Sequence, residues 1–264
     1  MGWRSNEMSI PKIIHYVWVG GKPLPKFQQK CIASWKKHLP DYEIREWNET
    51  NFDISANRYC REAYDAKKYA FVSDYIRIWV LYQYGGIYMD TDVEVLKPFA
   101  DEFLQCEAFS GYETPNSIPT GILASIPKQR MFEKILEFYR TASFVNADGS
   151  YNIITNVYTI TSIAKENGFV PDNTKKTILG FTLYPQTYFC PLSHDSAETC
   201  FSKNTYTIHH FTGTWCDRKT RFVMQWNHNL KGKFERSLGK AGANLAYRVI
   251  YNAARVIDWI CRQG

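Results

Sequence analysis

The stretch Ser73–Val93, SDYIRIWVLYQYGGIYMDTDV, changes its periodicity at a glycine pair, and that change decides the fold. Upstream of Gly85 the residues from Ala70 onward form an apolar helical pattern. Within it Ser73 and Arg77 lie four residues apart on one face, and Asp74 lies three before Arg77. Three polar groups therefore converge in an otherwise apolar helix, and burying them demands partners. Gly85 and Gly86 close the helix, because glycine tolerates the left-handed backbone found just past a helix end. Ile87–Leu96, IYMDTDVEVL, then alternates as one strand, with Ile87, Met89, Thr91, Val93 and Val95 on one face and Tyr88, Asp90, Asp92 and Glu94 on the other. On such a strand Asp90 and Asp92 leave the same side about 6.5–7 Å apart. One carboxylate can then bind a divalent cation directly while the other holds a water of that ion or a ligand hydroxyl. Hard oxygen ligands select Mg²⁺ or Mn²⁺. A solvated edge strand offers the same Asp-x-Asp spacing; what distinguishes this one is the polar helix leading into it.

Working outward, Lys12–Val19, KIIHYVWV, is a nearly unbroken apolar run ended by Gly20-Gly21, as expected of a buried parallel strand. Phe27, Cys31, Trp35 and Leu39 recur at helical spacing up to Pro40, and Tyr42–Trp47 alternates, which makes a β-α-β opening. Residues Arg58–Tyr84 read as one or two helices. Ala108–Tyr112 and Thr120–Ser125 read as strands, Lys128–Tyr139 and Asn152–Glu166 as helices, and Ile178–Cys190 and Tyr206–Phe211 as later strands. The pattern is α/β, with an irregular second half.

Composition narrows the function. With 264 residues and 45% hydrophobic content the chain can bury a full core. Its net charge of +6 is local: from Arg218 onward ten Lys or Arg face only Glu235 and Asp258. No zinc-finger, helix-turn-helix or RNA-recognition pattern accompanies that basic segment, so nucleic acid is not the expected partner. The 7 cysteines form no CxxC pair and are odd in number, which argues for a reducing cytoplasm over a disulfide framework or zinc site. No signal-peptide run and no apolar stretch of about 18 residues occurs. Serine-hydrolase, P-loop and zincin motifs are also absent.

The pattern S-D-x-x-R, spacer, G-G-x-Y-x-D-x-D resembles the DXD sugar-binding signature of glycosyltransferase family 32, and the catalytic domains of glucosylating bacterial toxins are similar. The resemblance reaches back to IPKIIHYVWVGG and covers roughly the first 100 residues. It implies a single GT-A-type (Rossmann-like) nucleotide-sugar-binding domain with a mixed, mostly parallel central sheet, taken as residues 1–235, followed by a C-terminal helical tail, 236–264. It further implies that Asp90 and Asp92, with Arg77, are the catalytic residues: Asp90 contacts donor hydroxyls and joins Asp92 as a ligand of the metal (Mn²⁺ or Mg²⁺), and Arg77 holds donor sugar or phosphate oxygens. Ser73, Asp74 and Tyr88 then line the donor pocket, Val17 gives backbone contacts to the base, and Trp18 stacks on it, a contact worth about 1–3 kcal/mol. Trp18 as plain core packing is the competing reading.

His209-His210-Phe211-Thr212-Gly213-Thr214-Trp215 resembles the H-H-W-x-G-S-W piece of the same family and the H-F-x-G piece of other retaining transferases. The H-F-x-G register selects His210 over His209 as the metal ligand, and puts Thr214 and Trp215 against the diphosphate. His15, His38, His194 and His228 read as packing or surface residues.

In the tail, Ala246, Val249, Ile250, Ala253, Ile257 and Ile260 share one stripe, with arginines elsewhere. A basic amphipathic helix of this kind can lie on an anionic membrane at the cytoplasmic face, near a lipid-linked acceptor, or dock on its own domain. The expected function is retaining, metal-dependent transfer of a hexosyl unit from a nucleotide-diphosphate sugar, UDP-linked by preference, to a saccharide or lipid-linked saccharide in glycan or capsular polysaccharide synthesis. The alternatives are a non-catalytic nucleotide-sugar or glycan-binding protein and a toxin-like protein glycosyltransferase.

Overall fold

The computed structural model describes residues 9–192 and 199–214, with scattered positions between 226 and 250. Strand β1 (Ile13–Val17), helix α1 (Lys26–His38) and strand β2 (Glu43–Trp47) form the expected β-α-β opening, with β1 and β2 parallel. Helices α2 (Arg58–Asp65) and α3 (Tyr69–Tyr84) follow, separated at Lys67, whose φ is 58°. Gly85 stops α3 with φ +66°, and a Cβ there would meet Pro127 Cδ at 2.7 Å; at Gly86 it would meet Ile13 O at 2.6 Å. Angle and space both require glycine where the helix turns into the sheet.

Strand β3 (Gly86–Met89) runs parallel to β1, and here the expected single strand Ile87–Leu96 proves to be two. β3 ends at Met89, the chain turns through Asp90-Thr91-Asp92 with Val93 N donating to Asp90 O at 2.9 Å, and β4 (Val93–Val95) leaves the main sheet. Alternation could not reveal the break, because it records burial, and Val93 and Val95 are buried in either arrangement.

The chain continues through helix α4 (Asp101–Leu104), strands β5 (Ala108–Gly111) and β6 (Ile122–Ser125), and helices α5 (Arg130–Thr141) and α6 (Asn156–Glu166). The strand expected over Ile178–Cys190 is also divided. β7 (Lys176–Ile178) and β8 (Phe181–Tyr184) form a hairpin across Leu179 and Gly180, both at positive φ, and Pro185 then precedes helix α7 (Gln186–Phe189). Two consecutive positive-φ residues match the right-handed twist of paired strands. Strand β9 (Thr207–His209) is the last regular element of this part.

The seven-stranded sheet has the order β2-β1-β3-β6-β5-β8-β7, with β6 and β7 antiparallel to the other five strands. It is the mixed, mostly parallel α/β sheet expected. β4 and β9 form a separate antiparallel pair. Alternate strand residues feed two cores: Val17, Tyr88, Leu123 and Leu183 pack with Val72, Ile76 and Ile135 of the helices, while Ile14, Ile87, Met89 and Ile122 pack with Trp35 of α1 and Phe189 of α7.

Two compact units are distinguished: residues 1–191 with 201–209, and residues 192–200 with 210–264. In the second, Leu192 bridges Thr199, and the Trp226 ring lies 5.1 Å from Phe234 and 5.5 Å from Tyr247. Ala246, Val249 and Ile250 of the tail stripe are helical; the boundary at 235/236, most of the tail, His194 and His228 lie outside the described residues.

Candidate active site

The carboxyl ends of parallel β1 and β3 meet at one sheet edge, where α/β folds place their ligands. The acidic turn follows directly on β3 and is clamped on its far side. Trp35 Nε1 of α1 donates to Val93 O at 2.7 Å, and Val95 N donates to Ser34 Oγ at 2.9 Å. β9 pairs with β4 in the register Val93↔His209, Glu94↔Ile208, Val95↔Thr207. That register brings the His209 imidazole from far along the chain to the two aspartates.

His209 Nε2 stands 3.2 Å from Asp92 Oδ1 and 3.9 Å from Asp90 Oδ2. Ligand atoms of Asp90, Asp92 and His209 all lie within 4.8 Å of one another. Neighbouring ligands of an octahedral ion stand about 3 Å apart, so two hard carboxylates and an imidazole suit a single Mn²⁺ or Mg²⁺ with small adjustment. The carboxylates converge through the turn, not along the pleat of a strand. Burial opposes protonation of His209, but the charge and hydrogen bond of Asp92, with Cys190 and Asp90, raise its pKa well above the ordinary value.

Arg77 lies behind the turn, buried, and all three of its nitrogens face protein oxygens. Nε donates to Ser73 O (3.1 Å), NH1 to Thr120 O (2.8 Å), and NH2 to Ser73 Oγ (2.9 Å). NH2 is also 3.1 Å from Asp74 Oδ1, and NH1 is 3.5 Å from Asp90 Oδ1. The guanidinium sits 4.7 Å over the Tyr88 ring, whose hydroxyl donates to Asp90 Oδ1 at 2.7 Å. Burial pushes the Asp74 carboxyl up to about 6, against the pull of Arg77 and with the repulsion of Asp90. Burial likewise acts to lower the Arg77 pKa, yet Asp90, Tyr88 and Asp74 hold it above its usual range.

The structure gathers Asp90, Asp92, Ser73, Asp74, Arg77 and Tyr88 in one neighbourhood. The imidazole that joins the two aspartates is that of His209, whereas the sequence register selects its neighbour His210, which belongs to the second unit. Strand pairing supplies the reason, since the Val93↔His209 register is a tertiary fact with no trace in a short motif. Val17 is buried at the end of β1. Trp18 is half-buried, and its indole N–H donates to Lys22 O at 2.6 Å. Thr214 belongs to the second unit and Trp215 lies outside the described residues. Gly121 escaped the sequence reading: its carbonyl accepts from Asp90 N at 2.8 Å, and a Cβ on it would meet His209 Nδ1 at 2.7 Å. His15 also proves specific, with Nε2–H donating to Gly85 O (2.9 Å) and Nδ1 accepting from Trp47 Nε1 (3.0 Å).

Residues 25–110 match the family model described as a glycosyltransferase sugar-binding region containing the DXD motif. The chain is 28% identical over 221 residues to "Uncharacterized glycosyltransferase L373" of Acanthamoeba polyphaga mimivirus, covering 78% of this chain and 84% of that protein. It is 31% identical over 141 residues to inositol phosphoceramide mannosyltransferase 2 of Schizosaccharomyces pombe, covering 50% of this chain and 39% of that one. Among solved structures, the PaToxG glycosyltransferase aligns with a TM-score of 0.45 and 20% identity, over 60% of this chain and 69% of that chain. The chain spans well under half the length of several of these curated relatives, down to 22% of one from Legionella pneumophila.

Proposed function

We propose that this chain, whose residues 25–110 match the DXD-type glycosyltransferase sugar-binding region, moves a hexosyl unit from a nucleotide-diphosphate sugar to a saccharide acceptor with a divalent cation held at the acidic turn. The observation that carries the reading is the convergence of Asp90, Asp92 and His209 just past the carboxyl end of β3. Asp90 Oδ2, Asp92 Oδ1 and His209 Nε2 would hold Mn²⁺ or Mg²⁺. The bound ion supplies charge neutralisation for the departing diphosphate. The chain's own contribution is preorganisation: α1 and β9 fix the turn from both edges, so the ligands need little rearrangement when the ion arrives.

A UDP-sugar is the preferred donor and retention the expected stereochemistry, both following from the family 32 resemblance. No carboxylate is assigned as a nucleophile, and a front-face path, in which the leaving phosphate accepts the acceptor's proton, requires none. A lipid-linked saccharide is in keeping with relatives named as mannosyltransferases of inositol phosphoceramide. No described helix is long and apolar enough to cross a membrane. The basic tail is proposed as a peripheral contact with the cytoplasmic leaflet; intact protein that ignores anionic vesicles at low salt removes that part of the proposal.

The deciding experiment incubates the purified chain with UDP-glucose, UDP-galactose, their N-acetyl forms and GDP-mannose, with and without Mn²⁺, and measures nucleotide release. Mn²⁺-dependent release from one donor is expected. Absence of release from every donor, together with no calorimetric binding of UDP and Mn²⁺, would overturn the proposal; binding without release would favour a non-catalytic module.

A further inference from the structure

We infer that the apolar tip formed by Ile153 and Ile154, with Tyr151 and Tyr158 beside it, is a contact surface for an anionic lipid bilayer. The contact itself rests on no step of the transfer reaction. Its use, to hold the acidic site at the surface that carries a lipid-linked acceptor, rests on the reading above.

Residues 149–164 contain no charged side chain, and within them burial runs against polarity. Ile153 is 69% exposed, Tyr158 64%, Ile154 49% and Tyr151 44%, whereas Asn156 and Thr159 are buried. Single exposed apolar residues are ordinary; four large ones within eight residues make a patch of the kind that marks an interaction surface. The backbone holds them outward. Phe144 N and Val145 N donate to Glu62 Oε2 at 2.9 and 3.0 Å, Asn152 N donates to Phe144 O at 2.7 Å, and Ile154 N donates to Asn152 Oδ1 at 3.2 Å. Asn156 then turns inward, its Nδ2 donating to Asp74 O at 3.0 Å. A tip pinned on both sides loses little freedom when it is covered.

The chemistry of the patch selects the partner. Two isoleucines supply apolar insertion, and tyrosines join an apolar ring to a polar hydroxyl, the combination suited to the boundary between headgroups and acyl chains. Lys67 and Lys68 are exposed, and the Lys68 ammonium lies 5.8 Å over the Tyr151 ring. Phe138 extends the patch into the groove between α5 and α6, where Glu137 and Glu166 also lie, so the basic border is on the Tyr151 side. A second copy of the chain meeting this patch about a two-fold axis would add two more lysines to the same interface. Anionic headgroups, by contrast, gain from each lysine. Asp74, which accepts from Asn156, is paired with Arg77 at 3.1 Å, so the tip stands beside the candidate active site.

The test measures co-sedimentation of the full chain with phosphatidylcholine vesicles, with and without phosphatidylserine, over a salt series. Ile153→Ser combined with Ile154→Ser should weaken binding to the anionic vesicles by about tenfold or more, at an unchanged melting temperature. That deficit should not depend on salt, because apolar burial is not screened. Lys67→Asn combined with Lys68→Gln should cost about fivefold per lysine at low salt, and this deficit should shrink as salt rises. Asparagine is chosen at Lys67 because it tolerates the positive φ of 58°. Wild-type binding that the isoleucine variant retains in full overturns the role of the tip and leaves the tail contact standing. A wild-type dimer in sedimentation equilibrium that the isoleucine variant dissociates, with vesicle binding unaltered, assigns the patch to a second copy and overturns the inference. Failure of the wild type to bind any vesicle overturns this inference and the tail contact together, while nucleotide release, measured without lipid, decides the transfer reading separately.

Discussion

Val93 of β4 and His209 of β9 are cross-strand partners, and this pairing puts an imidazole nitrogen 3.2 Å from the Asp92 carboxylate. The acidic turn therefore gains a neighbouring imidazole through an antiparallel ladder, and geometry at the site depends on the register of two three-residue strands.

If Asp92 is a cation ligand, Asp92→Asn removes a charge the ion needs while conserving shape. Mn²⁺-dependent donor hydrolysis should fall by about 100-fold or more. Undiminished turnover measured at the same Mn²⁺ concentration refutes the assignment.

Gly121 tests how closely the ladder positions His209. A Cβ at this position meets His209 Nδ1 at 2.7 Å, so the ring must shift. In Gly121→Ala the Mn²⁺-induced rise in melting temperature should shrink, and Mn²⁺ affinity should drop by about tenfold. Titration calorimetry showing wild-type affinity would mean that the ring is free to move or is not a ligand.

Arg77 also carries stability. Arg77→Leu leaves Asp74 and Asp90 without their shared cation in a buried setting, at an expected cost of about 3–5 kcal/mol. Urea unfolding of the metal-free protein measures it, and adding Asp74→Asn to the variant should recover part of the loss. A midpoint like that of the wild type would show that solvent already pays for these charges.

His15 gives a pH signature. Burial lowers its pKa from 6.5 to about 4, with Gly85 O opposing and Arg45 assisting. Neutral imidazole fits because Nδ1 accepts from Trp47, which a second ring proton would prevent. The folded pKa lies below the unfolded one, so the unfolded chain binds the extra proton first. This contribution is full above about pH 6.5 and is lost as pH falls toward 4, amounting to about 3 kcal/mol. The difference in urea midpoint between wild type and His15→Gln should therefore vary over that window; a constant difference would contradict it.

Much of this was legible in the residues themselves. The apolar run of β1, the helical spacing of α1 and the glycine pair after α3 each record a local constraint: burial on both faces, one buried stripe, a backbone angle that a side chain cannot adopt. The polar trio Ser73, Asp74 and Arg77 announced that partners were waiting, and Asp90 is one of them. The breaks at Asp90–Asp92 and at Leu179-Gly180 stayed hidden, since alternation reports which residues are buried and is silent on whether the chain continues straight.

The sequence by itself determined the α/β opening, the helix that delivers Arg77 and the glycine hinge that delivers the two aspartates, because each is set by residues within a turn or two of one another. Tertiary structure alone decided that the imidazole beside the two aspartates is that of His209, that the Tyr88 hydroxyl donates to Asp90, and that Arg77 reaches Thr120 and Asp90. Those outcomes depend on distant segments meeting, β9 on β4 and the Thr120 loop on α3. Hydrogen bonds made by such meetings leave no periodicity in the chain.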